Sequence, residues 1–428
     1  MKIAHIGPRL ARRGGPAGYL YELARAAQGY QWQGHTLVFP PMAHAEQPPS
    51  SPGWWSRAGA HLRRLKRSVA GAPRFYRPDA ADLTAAPGVI HRNMLQVAMD
   101  AIRDAAESID GALEGNGADV LFTHDMATAE YLVERRRAHQ QVWLMLHSPM
   151  PQALYHGWSW AVPEFDWRKI LDLADVRSWI NRELDVCARV DRIILPCPPA
   201  GDELARTDRR FATVLAHADY VLTGAAGSSP NPAGATRAQW RRRWRLPDDL
   251  PVGLYLGNAQ PYRGLDVLLR ALDLLPERSD VPGVVAVAGP AIESLPFRRR
   301  LRALGHVSDV SGLLRAVDFA INVNRFSLFD LSMIEAAEAG KPLLLHAVGG
   351  NLTFRNLGAG CVMLPNLEPP TVAAGLTQMF SLSPQRRQAL GRASRACYEA
   401  HLTPAHLCER HQQLYDEADS RTRQVGRA

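Results

Sequence analysis

The chain has few cysteines and no long apolar run. Its 428 residues include five widely spaced cysteines and no C-x-x-C pair, so neither a disulfide framework nor a cysteine zinc site is indicated. No apolar run approaches the roughly 18 residues that a membrane-spanning helix needs. The first residues, Met1 to Pro8, are typical of a short apolar strand and not of a secretory signal peptide. We therefore expect a cytoplasmic protein.

Several motifs of catalysis and metal binding are also missing. There is no D-x-D, the pattern in which carboxylates hold a divalent metal together with a nucleotide-sugar. The phosphate-binding P-loop, the G-x-S-x-G of hydrolases and the H-E-x-x-H of zinc proteases are absent too. We therefore expect no metal site and no bound cofactor.

Acidic residues are scarce in two stretches, although the whole chain holds 50 basic and 42 acidic residues, a net charge of +8. Residues 54–78 contain seven basic side chains and no acid, and five arginines lie between Arg237 and Arg245. Such patches suit anionic partners: a phosphate-bearing substrate, an anionic membrane surface or nucleic acid. No nucleic-acid-binding module accompanies them, so we expect no nucleic-acid partner.

Short apolar strands alternate with amphipathic helices along most of the chain. Lys2–Ile6, a helix around Tyr19 to Ala27 and the strand at residues 36–39 form a βαβ unit, which implies a parallel sheet. A second series of this kind begins at Val252–Leu256. The alternation predicts an α/β protein with two tandem doubly wound, Rossmann-like domains. Such pairs bind ligands in the central cleft, at the carboxyl ends of the strands.

Composition indicates where the domains begin and end. Residues 1–223 form the N-terminal domain, with an insertion rich in Pro, Ser, Trp and Arg at about residues 41–80. Residues 224–236 are rich in Gly, Ser, Pro and Asn and are assigned to a linker. Residues 237–404 form the second domain. We expect the last segment, 405–428, to be a helix that returns to the N-terminal domain.

The loop after Leu256 is the first candidate site. It contains Asn258 and Arg263, and Gly264 opens the next helix. A helix N-terminus offers free backbone N–H groups with a partial positive charge, and a guanidinium adds a bidentate donor, so the loop suits a diphosphate. The plainer interpretation, a βα turn with a surface arginine, is favoured when this segment is taken alone.

The segment from Asn324 to Pro342 is the second candidate. Glu335 lies in the first turns of a predicted helix, where its carboxylate could accept hydrogen bonds from sugar hydroxyls. Ser332 and Glu335 also match a capping box, in which Glu335 would only tie the start of the helix. Asp330 is likewise a good N-cap residue. The segment by itself leaves ligand binding and capping equally open.

Glycines and histidines follow the predicted strands of the N-terminal domain. Gly14 and Gly15 lie between the first strand and the first helix, where a backbone can approach a phosphate, but their spacing is not that of a dinucleotide site. His147 ends a strand at the edge of the sheet where ligands bind, and His124 has a similar, weaker case. A structural role in hydrogen bonding is the alternative for both histidines.

Taken in order, these segments resemble the retaining glycosyltransferases of family 4, which are two-domain enzymes of the glycosyltransferase B type. The likeness covers nearly the whole chain, and the insertion at 41–80 is its least typical part. It rests on the following segments: the Gly14–Gly15 loop, Leu23–Ala24, Gly34–His35, Asp119 to His124, Leu146–His147, Leu254 to Gly264, Leu313 to Asp318, Asn324 to Pro342 and Val348 to Gly350.

The resemblance implies a role for each matching residue. Glu335 matches the second glutamate of the Glu-x7-Glu motif of the family and would hold the donor ribose. Arg263 stands where a lysine is usual and would bind the donor diphosphate, and His147 would lie near the donor sugar. The expected sites are therefore catalytic (His147, Asp330, Arg263), donor-binding (Gly14, Gly15, Asn258, Arg263, Gly264, Ser327, Phe329, Asp330, Leu331, Glu335) and acceptor-binding (His124).

The chain departs from the family at functionally important positions. Ser327 replaces the first glutamate of the motif, and Leu328 and Asp330 stand where the family often has glycines. Asn258 replaces the usual arginine of the diphosphate loop, which removes a charge-assisted contact. Asp330, three residues further on, is a candidate to replace the missing glutamate.

The resemblance implies a metal-independent transfer of a sugar from a UDP- or GDP-linked donor, with retention at the anomeric carbon. The acceptor would be a glycan, a lipid-linked molecule or a small molecule, for example in polysaccharide or cell-envelope synthesis. The alternative is a catalytically degenerate relative that acts as a binding or scaffold partner, an idea motivated by Ser327 and Asn258.

A helix at residues 57–69 is a separate hypothesis. Leu62, Leu65 and Val69 share one face, with arginines and a lysine around them. This is the composition of an interfacial helix that rests on anionic lipid, and it would bring residues 54–78 to the inner face of the cell membrane. A solvated basic surface segment is an equally good interpretation.

Overall fold

The computed structural model describes residues 1–10, 15–42, 88–115, 117–159, 166–226, 234–276, 281–290, 292 and 295–425. Gly14, the predicted helix at 57–69, most of the insertion at 41–80 and part of the predicted linker lie outside them. Within these residues the chain forms two α/β units, each built on a parallel sheet of six strands. The predicted pair of Rossmann-like units is therefore confirmed.

The first sheet has the strand order β2-β1-β3-β4-β5-β6. Its inner strands are buried on both faces, which explains why their sequences are continuous apolar runs. The strands are β1 (Lys2–Ile6), β2 (Thr36–Val38), β3 (Val120–Thr123), β4 (Gln141–Met145), β5 (Arg192–Leu195) and β6 (Asp219–Tyr220).

The second sheet has the order β12-β11-β10-β7-β8-β9, so the central strand β7 is flanked by β10 and β8. The two edge strands, β9 and β12, escape sequence-based detection because they are less apolar or only half-buried. The strands are β7 (Val252–Leu256), β8 (Val284–Ala288), β9 (Leu301–Gly305), β10 (Phe319–Asn322), β11 (Leu343–His346) and β12 (Cys361–Leu364).

Helices cover the faces of both sheets. Those of the first unit are α1 (Pro16–Ala27), α2 (Val89–Asp110), α3 (Met126–Arg135), α4 (Gln152–Ser159), α5 (Trp167–Leu171), α6 (Ala174–Arg189), α7 (Pro198–Thr207) and α8 (Arg210–Val214), with a π-helical turn at Gly111–Gly115. The following helices are α9 (Arg237–Arg243), α10 (Leu265–Leu274), α11 (Val310–Ala316), α12 (Leu331–Glu338), α13 (Gly350–Asn356), α14 (Pro369–Ser381), α15 (Pro384–His401) and α16 (Pro404–Val425), with a 3₁₀ turn at Pro261–Arg263.

The C-terminal helix α16 packs on the first unit. Leu407, Leu414 and Tyr415 are buried in one cluster with Ile3 and Trp143 of the first sheet. Gln412 adds two backbone hydrogen bonds to Gln33, through its side-chain oxygen and nitrogen. Both ends of the chain therefore contribute to the same core.

The two units also contact each other directly. Phe326, after strand β10, is fully buried against Trp158 and Trp167 of the first unit, at ring-centroid distances of 5.9 and 5.2 Å. Arg206 of α7 donates a 2.9 Å hydrogen bond to the backbone oxygen of Arg325. The aromatic and hydrogen-bonded contact holds the segment after β10 against the N-terminal domain.

The arginine cluster at 237–245 is largely engaged in ion pairs. Arg241 is 1% exposed and pairs with Asp318 at 2.7 Å, and Arg237 pairs with the same carboxylate. Arg243 lies 3.2 Å from Asp309. The cluster thus ties α9 to the start of β10 and to α11, which accounts for three of its five charges without an anionic partner.

Among the described residues, none of the helices is both long enough and apolar enough to cross a bilayer. The same residues contain no group of three or more side chains placed to hold a metal ion.

Gly264 is required by the turn that joins the 3₁₀ turn to α10. Its φ is +68°, and a Cβ there would lie 2.0 Å from the backbone oxygen of Val323. We expect Gly264→Ala to lower the free energy of unfolding by about 2 kcal/mol or more, from backbone strain and steric clash. Gly358→Ala is the matched control, because φ is +80° but a Cβ added there would have no atom within 4 Å. Equal losses in urea unfolding would contradict the clash.

Candidate functional site

The order of the second sheet reverses direction at β7. The chain moves from β7 to β8 and β9 on one side and returns to β10 on the other. Ligands of doubly wound sheets bind at this switch point, beside the carboxyl ends of the two central strands. The loop at Gly257–Asn258 follows β7, and Val323–Asn324 follow β10. The two sequence-predicted loops therefore meet where a ligand is expected.

Arg263 lies at this edge and is paired. Its Nη1 donates to Oδ1 of Asp330 at 2.6 Å, and its Nε donates to the Tyr262 hydroxyl at 3.1 Å. The side chain is 21% exposed and that of Asp330 is 13% exposed. No described residue accepts a hydrogen bond from Nη2 of Arg263. The guanidinium is fixed on two sides and keeps one edge for a ligand.

The Asp330 carboxylate is close to saturated with donors. Its Oδ2 accepts hydrogen bonds from the amides of Asn322 and Asn324, each at 2.8 Å, and from the Ser327 hydroxyl at 3.1 Å. A carboxylate has about four lone-pair positions, and four donors already reach this one. Asp330 is the N-cap of α12 but its side chain makes no capping hydrogen bond. Its carboxylate instead holds the site together.

Ser327, at the position of the missing glutamate, is fully buried. Its hydroxyl lies 3.0 Å from Oδ1 of Asn351 as well as 3.1 Å from Asp330. A buried hydroxyl with two hydrogen-bonding partners has a structural function, so Ser327 holds Asp330 and Asn351 in place. Its assignment to donor binding stays a prediction.

The other donor-loop residues surround this cluster. Asn258 accepts a hydrogen bond from the backbone N–H of Gln260 at 3.2 Å, which shapes the loop. Phe329 is buried and stacks on Phe354 at 4.5 Å, and Leu331 is the half-buried first residue of α12. These three positions remain predicted donor contacts.

Glu335 is not part of the Asp330 cluster. It lines a surface cleft of about 330 Å³ that runs along α11 and α12. Because α12 begins at Leu331, Ser332 lies inside the helix and is not its N-cap, so the capping-box alternative does not describe this helix. The cleft is lined by Ser311, Leu314, Arg315, Glu335, Glu338, Ala339, Lys341 and Arg395. The cleft therefore combines three basic side chains with two carboxylates, and Arg395 pairs with Glu399 at 2.7 Å.

The N-terminal domain contributes a line of histidines at the carboxyl ends of its central strands. Nε2 of His147 lies 2.9 Å from Nδ1 of His124, whose Nε2 lies 3.2 Å from Nδ1 of His5. His5 and His124 are 1% and 2% exposed, whereas His147 is half-buried. Burial lowers the pKa of His147 to about 3 and lowers the pKa of His5 and His124 well below the usual value. The rings are therefore neutral.

The line continues into the C-terminal helix. Nε2 of His5 lies 3.1 Å from the Tyr415 hydroxyl, which lies 2.8 Å from Nδ1 of His411. Nε2 of His411 lies 2.7 Å from the hydroxyl of Tyr19. We call these six side chains the His–Tyr chain. Only His147 and His124 were singled out by sequence, because His5 lies inside a strand and His411 inside a polar helix, without a motif around either.

The structure therefore assigns different positions to the predicted residues of this domain. His147 is half-buried at the sheet edge, and His124 lies behind it with both ring nitrogens hydrogen bonded. Gly15 precedes α1 with φ +74°, a conformation suited to glycine. The contacts of His124 and Gly15 with acceptor or donor stay predictions.

The part of the chain that matches a known protein family lies in the second unit. Residues 251–381, which contain Arg263, Asp330 and Glu335, match the family described as Glycosyl transferases group 1. This part of the second unit is therefore similar to glycosyl transferases of group 1. The D-inositol 3-phosphate glycosyltransferase of Streptomyces griseus is 27% identical over 253 residues, which cover 53% of this chain and 53% of that protein. The chain thus spans about half the length of the first curated relatives it matches.

Solved structures agree with the two-domain fold of glycosyltransferases of the B type. Sucrose-phosphate synthase from Thermosynechococcus elongatus superimposes with a TM-score of 0.63 at 15% identity, over 98% of this chain and 99% of that one. Anabaena HepE, in complex with UDP and glucose, gives a TM-score of 0.56 at 15% identity, over 98% and 100%. The residues that match the group 1 family therefore lie within a two-domain fold of the glycosyltransferase B type.

Proposed function

We propose that the protein transfers a sugar from a nucleotide-diphosphate-sugar to an acceptor, with retention at the anomeric carbon and without a metal. The observation that carries the proposal is Arg263. It lies at the switch point of a domain similar to glycosyl transferases of group 1, fixed by Asp330 and Tyr262, with one edge of its guanidinium left for a ligand.

The chemistry asks little of side-chain bases. Negative charge grows on the diphosphate as the sugar bond breaks, and a preorganised guanidinium beside a helix N-terminus stabilises that charge. Gly264 places the start of α10 next to Arg263. With retention, the acceptor approaches on the face of the leaving diphosphate, whose oxygen can take the acceptor proton. A separate carboxylate base is then unnecessary.

Asp330 tunes this site. Its negative charge partly cancels that of Arg263, so the pair attracts a diphosphate less than a lone arginine would. Its four donors leave little capacity for sugar hydroxyls. We therefore propose that Asp330 orients Arg263 and does not replace the missing glutamate as a sugar-binding carboxylate.

For the donor we propose a UDP- or GDP-linked sugar, with the ribose held by Glu335. The acceptor is proposed to be a glycan, a lipid-linked molecule or a small molecule. D-inositol 3-phosphate is a useful first acceptor to test, because the matched relatives are named for it. Location in the cytoplasm, and contact of residues 54–78 with anionic membrane, are parts of the same proposal.

Thermal unfolding with a panel of UDP- and GDP-sugars, UDP, GDP and CMP-sugars tests the donor site. We expect one nucleotide family to raise the melting temperature of the wild type. A ligand that binds only the native state at about 100 times its Kd adds about 2.7 kcal/mol. Glu335→Ala should lose most of this shift. Asp273→Ala, at a carboxylate of the same domain that pairs with Arg298 outside this cleft, should keep it.

A second function, that of a degenerate binding partner, is favoured by one observation. The arginine expected to bind the diphosphate is neutralised by Asp330, and Asn258 supplies no second cation. Absence of any nucleotide-induced shift from a well-folded protein would replace the proposed transfer with this alternative. A shift that Glu335→Ala leaves unchanged would keep the donor site and refute the role of Glu335.

A further inference from the structure

The His–Tyr chain joins Tyr19 of α1 to His147 through five consecutive hydrogen bonds and includes His411 and Tyr415 of α16. Its members come from β1, α1, the segments after β3 and β4, and α16. His5 is stacked between Phe39 and Phe122, both at 4.8 Å, and His124 stacks on Phe122 at 5.1 Å. These contacts hold the rings in place, so the open question for the chain is which atoms carry the protons.

Neutral imidazoles restrict the answer. Each has one N–H, so a histidine that is hydrogen bonded through both nitrogens must donate on one side and accept on the other. This applies to His124, His5 and His411. The buried Tyr415 hydroxyl must also donate to one of its two histidine neighbours, because its hydrogen would otherwise lack an acceptor, so it keeps the same direction between His5 and His411. The hydrogen bonds of the His–Tyr chain can therefore be donated in two directions, either from His147 toward Tyr19 or from Tyr19 toward His147.

The two ends of the chain decide between them. Tyr19 is 3% exposed, and His411 is the one described residue that lies within hydrogen-bonding distance of its hydroxyl. If the hydrogen bonds were donated in the direction from His147 to Tyr19, the hydroxyl hydrogen of Tyr19 would be a buried donor without an acceptor, which is unfavourable. If they are donated from Tyr19 toward His147, that hydrogen is satisfied. The unshared N–H then falls on Nδ1 of His147, the half-buried end.

We infer that the hydrogen bonds run from Tyr19 to His147, so that the C-terminal helix holds His147 as the tautomer protonated on Nδ1. His147 then presents an N–H donor, and the ligand class it suits is an oxygen acceptor, such as a sugar hydroxyl or a phosphate oxygen. His411 and Tyr415 are positioning residues that act through His5 and His124. The tautomer rests on the hydrogen-bond geometry together with the neutrality of the buried rings, and its use in sugar transfer rests on the proposed function.

The direct test is the nitrogen NMR spectrum of the full chain labelled with ¹⁵N-histidine, at neutral pH. Imidazole ¹⁵N shifts distinguish protonated from unprotonated ring nitrogens. We expect His147 to be protonated on Nδ1 in the wild type. In Tyr415→Phe the chain is cut, and His147 should become a mixture of the two tautomers. Tyr398→Phe is the matched control, since it removes a buried hydroxyl that donates to Ala225 outside the chain.

Protonation of His147 on Nε2 in the wild type would overturn the inference, whether or not any variant folds. So would a His147 signal that is the same in Tyr415→Phe and in the wild type. A sugar-transfer assay separates this result from the proposed function. If the wild type transfers no sugar to any acceptor but His147 shows the expected tautomer, the proposed activity fails and the positioning role of α16 stands.

Discussion

Replacing Arg263 by methionine is expected to lower kcat/KM for sugar transfer by about 100- to 1,000-fold. The substitution keeps an unbranched side chain and removes the cation that we propose stabilises the leaving diphosphate. Loss of one preorganised donor to a developing anion has effects of this size. It also leaves Asp330 without its ion-pair partner, so repulsion of the diphosphate is added. Initial rates at subsaturating donor measure the effect.

Arg298→Met is the matched control. Arg298 pairs with Asp273 in the same domain, with 22% of its side chain exposed, away from the donor loop. It should keep nearly full activity. Asp330→Asn provides the reverse change, because it removes the opposing charge and leaves Arg263 in place. We expect UDP to bind about tenfold more tightly to this variant. Weaker binding of the UDP-sugar with unchanged binding of UDP would instead make Asp330 a sugar-binding carboxylate.

The second large effect concerns acid stability. Burial lowers the pKa of His411 and of His147 from 6.5 to about 3, and it lowers the pKa of His5 and His124 as well. In the unfolded chain these histidines bind protons below about pH 6.5, whereas in the folded chain the same four rings stay neutral. The free energy of unfolding is therefore undiminished by these histidines above this pH and decreases as the pH falls toward 3. Between pH 7 and 5 the loss is about 2 kcal/mol for His411 alone.

Buried carboxyl groups act in the opposite direction. Burial raises the pKa of Glu183 from 4.5 to about 7, so the folded chain binds a proton there first and gains about 2 kcal/mol over the same range. We therefore expect a net loss of about 2 kcal/mol or more between pH 7 and 5, measured by urea unfolding at each pH. In His411→Gln the slope of the free energy of unfolding against pH should be smaller, by an amount that corresponds to about one bound proton. A wild-type stability that is flat over this range would contradict the neutral His–Tyr chain.

Much of the fold could be predicted from local patterns. The strands at Lys2–Ile6 and Val252–Leu256 have the bounds that the sequence predicts, because strands buried on both faces are continuous apolar runs. The edge strand β9 was missed because Arg302 interrupts its apolar character. The glycosyltransferase resemblance was confirmed by the family match at residues 251–381, while retention and the family 4 assignment remain predictions.

The candidate site could be predicted only in part. The sequence indicates Arg263, Asp330 and Ser327 as candidates, but it gives each a separate role. Arg263 is expected to bind a diphosphate, Asp330 to cap a helix, and Ser327 to stand at the position of a missing glutamate. Arg263 and Asp330 are 67 residues apart, and their ion pair exists because β7 and β10 are adjacent in the sheet. Strand order depends on long-range packing, and no local pattern encodes which buried charges will become partners.

By itself the sequence determined the α/β class, the pair of Rossmann-like units and the position of the loop after β7, since these depend on apolar periodicity and on glycines that a turn requires. The tertiary structure decided how polar groups pair. His5 and Tyr415 are 410 residues apart and share a hydrogen bond because α16 returns to the first sheet. Buried polar groups must find partners wherever the packed core places them, and that choice is made only when the chain has folded.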